Sequence, residues 1–257
     1  MTTRDPFYSR WIVANAMAEG IGLGGTLLIA HFVIGSLDAA RPGTAGILLG
    51  ALLAVAMGTV LEGSLVGWAQ AQVLARRTPR VTLGIWTLAT SIGAALAWVL
   101  GMLPSTLAGM MLQAPSEPLM PAAPVGPPLW MMLLFAAVLG LLLGPVLAFP
   151  QWRVLRRFAP DAARWFQANA AAWAVGMVLV VAGMHLIAWT GSVAGIVAGV
   201  AVTCTLTGAV VGAIHGRVLR RMLDAVDGRP HRRPRGEPSA TTEVRHALRR
   251  ASVARHR

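Results

Sequence analysis

Two glutamates, Glu19 and Glu62, stand inside apolar stretches with no basic residue near enough along the chain to pair with them. At a rise of 1.5 Å per helical residue, Glu19 lies roughly 13 Å and Glu62 roughly 20 Å from the nearest flanking arginine. A bare carboxylate at such depth in hydrocarbon is costly, so acids there face a bundle interior or a wet cavity and mark proton or solute pathways. Two uses are open for this pair: a neutral acid bonded to a neighbouring helix, or a proton-linked or cation site. Positions i, i+4 and i+8 share one helix face, so Trp11, Asn15 and Glu19 form a stripe, which Trp165, Asn169 and Trp173 repeat. Trp86, Thr90 and Ala94 have the same spacing with less polarity. We expect Asn15, Thr90, Asn169, Gln70, Gln151 and His215 to form a ring at one depth. Such a ring either fastens helices, at about 0.6 to 2 kcal/mol per hydrogen bond, or lines a polar vestibule for a small solute, a proton or a lipid.

Composition says what carries these groups. The 257 residues are 56% hydrophobic and 12% charged, with a mean hydropathy of +0.63, whereas a soluble domain carries about 25% charged residues. The formal net charge is +12 and all 22 basic residues are arginine. They sit beside apolar segments or in the tail, which points to anionic lipid headgroups in the bilayer rather than nucleic acid. The single Cys204 excludes an intramolecular disulfide and a multi-cysteine metal centre. His31 and His185 offer no local metal-ligand spacing. Phosphate-binding glycine loops, nucleophile elbows and His-Glu-x-x-His motifs are missing, so no catalytic residue, metal or cofactor is assigned.

A transmembrane helix needs about 20 mostly apolar residues, and six windows qualify: 11–34, 45–75, 82–103, 129–156, 165–189 and 192–221. The expected class is all-α, a polytopic bundle of six transmembrane helices. The segment 1–10 precedes the 11–222 membrane domain, and a proline-rich external loop spans 104–128. Residues 223–257 read as a disordered basic tail. Pro145 and Pro150 remove backbone donors in the fourth window, making it the expected place for irregular backbone lining a cavity. Aligning Gln70, Gln151 and His215 brings Gly63, Gly144 and Gly208 into one column. Val73-Leu74, Val154-Leu155 and Val218-Leu219 then match, followed by Arg76, Arg157 and Arg221. The odd windows share Trp11-x-x-Ala14-Asn15, Trp86-x-x-Ala89-Thr90 and Trp165-x-x-Ala168-Asn169. The unit is a two-helix hairpin in three copies, and an even number of crossings per copy makes the copies parallel.

The Gln-Trp-x-Val-Leu-Arg-Arg ending at Gln151 to Arg157, with the Trp-x-x-Ala-Asn opening that follows it, resembles a loose group of uncharacterised bacterial multipass membrane proteins. The likeness covers about residues 11 to 221, implies a bacterial inner-membrane location, and brings no activity with it. A homo-oligomer is compatible with this reading. Arg76, Arg77, Arg156, Arg157, Arg220 and Arg221 are expected at lipid headgroups. With six spans the arginine-rich loops and both termini share one side, which the positive-inside bias makes cytoplasmic. Reporter fusions near Arg156 should therefore report the cytoplasm and fusions within 104–128 the opposite side; an external report at Arg156 overturns the orientation.

Overall fold

The structure, a computed structural model, describes residues 6–34, 36, 43–112 and 127–228. All regular elements among them are helical. Helix α1 is Phe7–Ile29, prolonged by a π-helical turn at Ala30–Ile34. Helix α2 is one long span in three parts: α-helical Thr44–Met57, π-helical Gly58–Gly63 and α-helical Ser64–Arg77. Then come α3 (Leu83–Leu112), α4 (Leu129–Leu155), α5 (Arg164–Ile187) and α6 (Val193–Asp227). These six are long and apolar enough to cross a membrane. Large apolar side chains such as Leu52, Leu88, Leu142 and Val202 point outward, as lipid-facing residues do. Contacts divide the chain into Met1–Leu223 and Asp224–Arg257; helix continues through Asp227, into the stretch expected to be a disordered tail from 223, and the rest of that expectation, beyond 228, lies outside the described residues.

Within the first unit, neighbours in sequence are neighbours in space from α1 through α5. α6 packs on α5, where a Cβ on Gly176 would meet Val211. It also returns to α1, where Tyr8 donates its hydroxyl hydrogen to the Ala213 carbonyl at 3.0 Å. The six helices thus close into a ring. Small residues set its tightness. A Cβ on Gly63 would lie 2.9 Å from that of Ala94, one on Gly144 would be 2.7 Å from Ala170 Cα, and one on Gly208 would be 2.7 Å from Glu19 Cβ. Each even helix therefore touches the following odd helix, with α1 following α6, at the glycine column seen in the sequence. In lipid, where no water is expelled when helices meet, this backbone approach and interhelical bonding supply the association energy.

Two further expectations need correction. Helix α3 does not stop before Pro104 but runs through it to Leu112, so the proline-rich connection starts later than residue 104. Prolines are tolerated in membrane helices because neighbouring Ser and Thr side chains and local adjustments re-satisfy the freed backbone groups. The nearby Ser105 and Thr106 hydroxyls also bond to the Met102 carbonyl, at 3.0 and 2.8 Å. Likewise α4 remains a continuous helix across Pro145 and Pro150. Besides the π-helical turn at the end of α1, the irregular backbone lies in α2, at Gly58–Gly63. Thr59 there donates to the Val55 carbonyl at 2.7 Å, a back-bond that competes with the regular ladder. Gly58, without a side chain, takes the indole of Trp98 against its backbone.

Gly144→Val should lower the thermal unfolding midpoint in detergent, at an overpacking cost of about 1 to 3 kcal/mol. Gly84→Val, at a position where an added Cβ meets nothing within 4 Å, should leave the midpoint nearly unchanged. Equal melting of the two variants would contradict the close packing.

Candidate functional site

The ring interior is layered, and α1 passes through every layer at one-turn intervals with Trp11, Asn15, Glu19, Leu23 and Leu27. The first layer, toward the arginine-rich helix ends, is a plug of three fully buried indoles, Trp11, Trp86 and Trp165. Trp165 lies 6.5 Å from Trp11 and 6.3 Å from Trp86 between ring centroids, and the buried His215 ring sits 5.2 Å from Trp165. Each indole N–H is bonded to the even helix preceding its own around the ring. Trp11 Nε1 donates to His215 Nδ1 at 3.0 Å, Trp86 Nε1 to Gln70 Oε1 at 3.0 Å, and Trp165 Nε1 to Gln151 Oε1 at 2.9 Å.

The second layer consists of the side chains one turn further in. Asn15 and Asn169 donate their amides to the Trp11 and Trp165 carbonyls, at 2.7 and 2.9 Å, and Thr90 donates to the Trp86 carbonyl at 3.0 Å. Gln70 Nε2 donates to Asn15 Oδ1 at 2.8 Å. Gln151 Nε2 reaches Thr90 Oγ1 at 2.8 Å and Gln70 Oε1 at 3.2 Å. The amides foreseen at one depth are thus brought together, and they bond mainly to one another and to the indoles. Buried polar groups left unpaired would each cost about 1 to 3 kcal/mol, so this network holds the ring shut.

The third layer contains the two acids. Glu19 is 2% exposed and Glu62 6% exposed. Both line a small polar chamber of about 30 Å³ together with Asn15, Gln70 and Gln151. That is enough for one or two water-sized groups. Glu62 Oε2 accepts a bond from Trp98 Nε1 at 2.8 Å. Glu19 Oε2 meets no hydrogen-bond partner, and neither does the buried Thr207 Oγ1 on α6. Beyond the acids, in the half away from the arginine-rich ends, lies a cavity of about 240 Å³ lined by residues of α1, α2, α3, α4 and α5. Its wall is Leu, Met, Ala, Val and Trp side chains, and Glu62 is its one charged residue. Glu62, Ala94, Leu147 and Trp173 face both spaces.

Sequence reasoning missed Trp98 and the π-helical segment that carries Glu62. Trp98 lies five residues from the end of the window 82–103, where it reads as an interfacial residue, and only the longer helix Leu83–Leu112 puts it at mid-helix. His31 and His185 each pack on a nearby aromatic ring of their own segment, Phe32 at 5.0 Å and Trp189 at 6.4 Å. Among the described residues, no group of three His, Cys, Asp or Glu side chains could hold a metal ion. Of the arginines expected at headgroups, Arg76, Arg156, Arg157, Arg220 and Arg221 are exposed and Arg77 is half-buried. Arg156 lies over the Trp152 ring, 4.7 Å from its centroid, and Arg220 over Tyr8 at 5.5 Å. No protein-family model, curated protein or solved structure matches the chain.

His215 does in α6 what Gln does in α2 and α4. His215→Gln should keep stability within about 0.5 kcal/mol, whereas His215→Leu should lose about 1 to 3 kcal/mol by leaving the Trp11 N–H without an acceptor. Unfolding in mixed micelles measures both, and an equally stable Leu variant would remove the energetic role given to these bonds.

Proposed function

We propose that this is a non-enzymatic inner-membrane protein that binds a small solute inside its helix ring, at Glu62 and Glu19. The observation that carries the reading is the junction: one buried carboxylate, Glu62, faces both the polar chamber and the 240 Å³ cavity, while the neighbouring Glu19 keeps an oxygen without a partner. A buried acid oxygen left without a partner costs the fold that holds it, and a ligand at that oxygen would offset the cost. The amides have a different part. Asn15, Gln70, Gln151 and Asn169 position the carboxylates by fixing the helices beneath them, and His215 does so through Trp11.

The three-hairpin reading is supported by the recurrence of one indole bond per helix pair and one glycine contact per pair. In that reading both termini and the arginine-rich ends are cytoplasmic, with Arg76, Arg77, Arg156, Arg157, Arg220 and Arg221 at anionic headgroups. The Trp plug then lies on the cytoplasmic side, so solute enters from the opposite half. Passage across the membrane requires the plug to open, whereas binding does not.

Native mass spectrometry of the gently extracted full-length protein tests the assignment. The wild type should retain a small molecule that Glu62→Gln retains at least tenfold less, with Glu19→Gln intermediate. Identical adducts on wild type and both folded variants would leave the acids as fastening groups and favour a purely structural protein.

A further inference from the structure

Resting on that reading of the chamber, we propose that the solute is a monovalent lipophilic amine, a protonated nitrogen on a compact apolar body, with the nitrogen at Glu62 and the body in the 240 Å³ cavity. Sign, shape and size each narrow the ligand. Glu62 is the one charged residue of the cavity wall, Glu19 joins it only in the chamber below, and neither space has an Arg or Lys, so an anion would meet only like charge in a low-dielectric site. A zwitterion would leave its negative end without a donor. A neutral solute would not offset the buried carboxylates.

An inorganic cation fails for another reason. Above Glu62 the wall offers Leu27, Ala97, Met102, Leu143 and Val180, which give a hard ion no oxygen ligands on that side. A charge confined to one end of an apolar molecule matches both surfaces at once. The carboxylate is prepared for it: the Trp98 indole holds Glu62 Oε2 at 2.8 Å, and a carboxylate with about four acceptor positions keeps others for an N–H donor. Glu19 Oε2, buried and unpartnered at the chamber, supplies a second acceptor. Two tryptophans, Trp98 and Trp173, belong to the wall, and aromatic rings are side chains to which cations are attracted. For size, an apolar cavity of about 150 Å³ holds benzene, so the present one accommodates a single ring with a short aminoalkyl arm.

The test uses the full-length protein in one detergent with three probes of matched shape: benzylammonium, benzyl alcohol and benzoate. Isothermal titration and the thermal midpoint are read for the wild type, Glu62→Gln and Ala97→Leu, the last placing extra atoms in the cavity wall. Subtracting Glu62→Gln cancels partition of the probes into micelles. Benzylammonium should bind the wild type and raise its midpoint, with benzyl alcohol at least tenfold weaker and benzoate undetected. Glu62→Gln and Ala97→Leu should each weaken benzylammonium at least tenfold. Equal binding of benzylammonium and benzyl alcohol, both lost in Ala97→Leu and unaffected in Glu62→Gln, would overturn the amine while leaving a solute chamber. No difference among probes or variants would overturn both. If Glu62→Gln does not fold, Glu62→Asp replaces it; it moves the carboxylate back by one methylene and should weaken benzylammonium without affecting benzyl alcohol.

Discussion

An indole N–H buried in hydrocarbon must find an acceptor, and in this protein that requirement closes the helix ring. Backbone groups are satisfied within each helix, so they do not say which helix lies beside which. Trp11, Trp86 and Trp165 do, because each has its single polar hydrogen bonded to an even helix, through His215, Gln70 and Gln151. The bond from α1 to α6 joins the two ends of the chain's circuit. At about 0.6 to 2 kcal/mol each, the three bonds together reach a few kcal/mol, a sizeable fraction of a net stability margin of about 5 to 15 kcal/mol. Large rings meeting at the centre also make the base of the ring solid.

A solid base explains why the acids can be where they are. One turn above the indoles, Asn15, Thr90 and Asn169 are tied to the tryptophan carbonyls, and Gln70 and Gln151 bridge between helices. That layer uses its donors and acceptors on itself, leaving few for Glu19 and Glu62 above it. The carboxylates are therefore oriented by packing and by Trp98 rather than neutralised by the amides. The cost of keeping them falls on the network below.

Much of this architecture was legible in the sequence because it depends on local period. The spans follow from apolar run length, and the stripe Trp11, Asn15, Glu19 follows from 3.6 residues per turn. The common depth of Gln70, Gln151 and His215 follows from their equal distance to Arg76, Arg157 and Arg221. What was not legible depends on contacts between distant segments. Nothing local to Trp98 says that it meets Glu62, 36 residues earlier, or that Gly58 makes room for it. The prolines misled in the same way twice. Pro104, Pro145 and Pro150 each signal a break by local chemistry, yet membrane helices tolerate proline where neighbouring side chains and local adjustments re-satisfy the freed backbone groups, and the irregular turn formed at Thr59 and the two glycines around it.

The contrast between the two halves of the ring separates scaffold from site. At the base the three helix pairs are alike: a Trp donates to a Gln or His, and a glycine admits the next helix. One turn higher they diverge, because Glu19 occupies the level that Ala94 and Trp173 hold in the other odd helices, and Glu62 the level of Leu143 and Thr207 in the even ones. Ala94 and Trp173 line the chamber and the cavity, and the two acids stand together on the α1–α2 edge. A fastening role would be served equally well by three identical upper layers. One acidic edge facing an apolar wall instead gives the cavity a polarity along its own length. Symmetry below and asymmetry above are then parts of one arrangement, in which the repeated bonds fix the frame and the unrepeated residues shape the space above it.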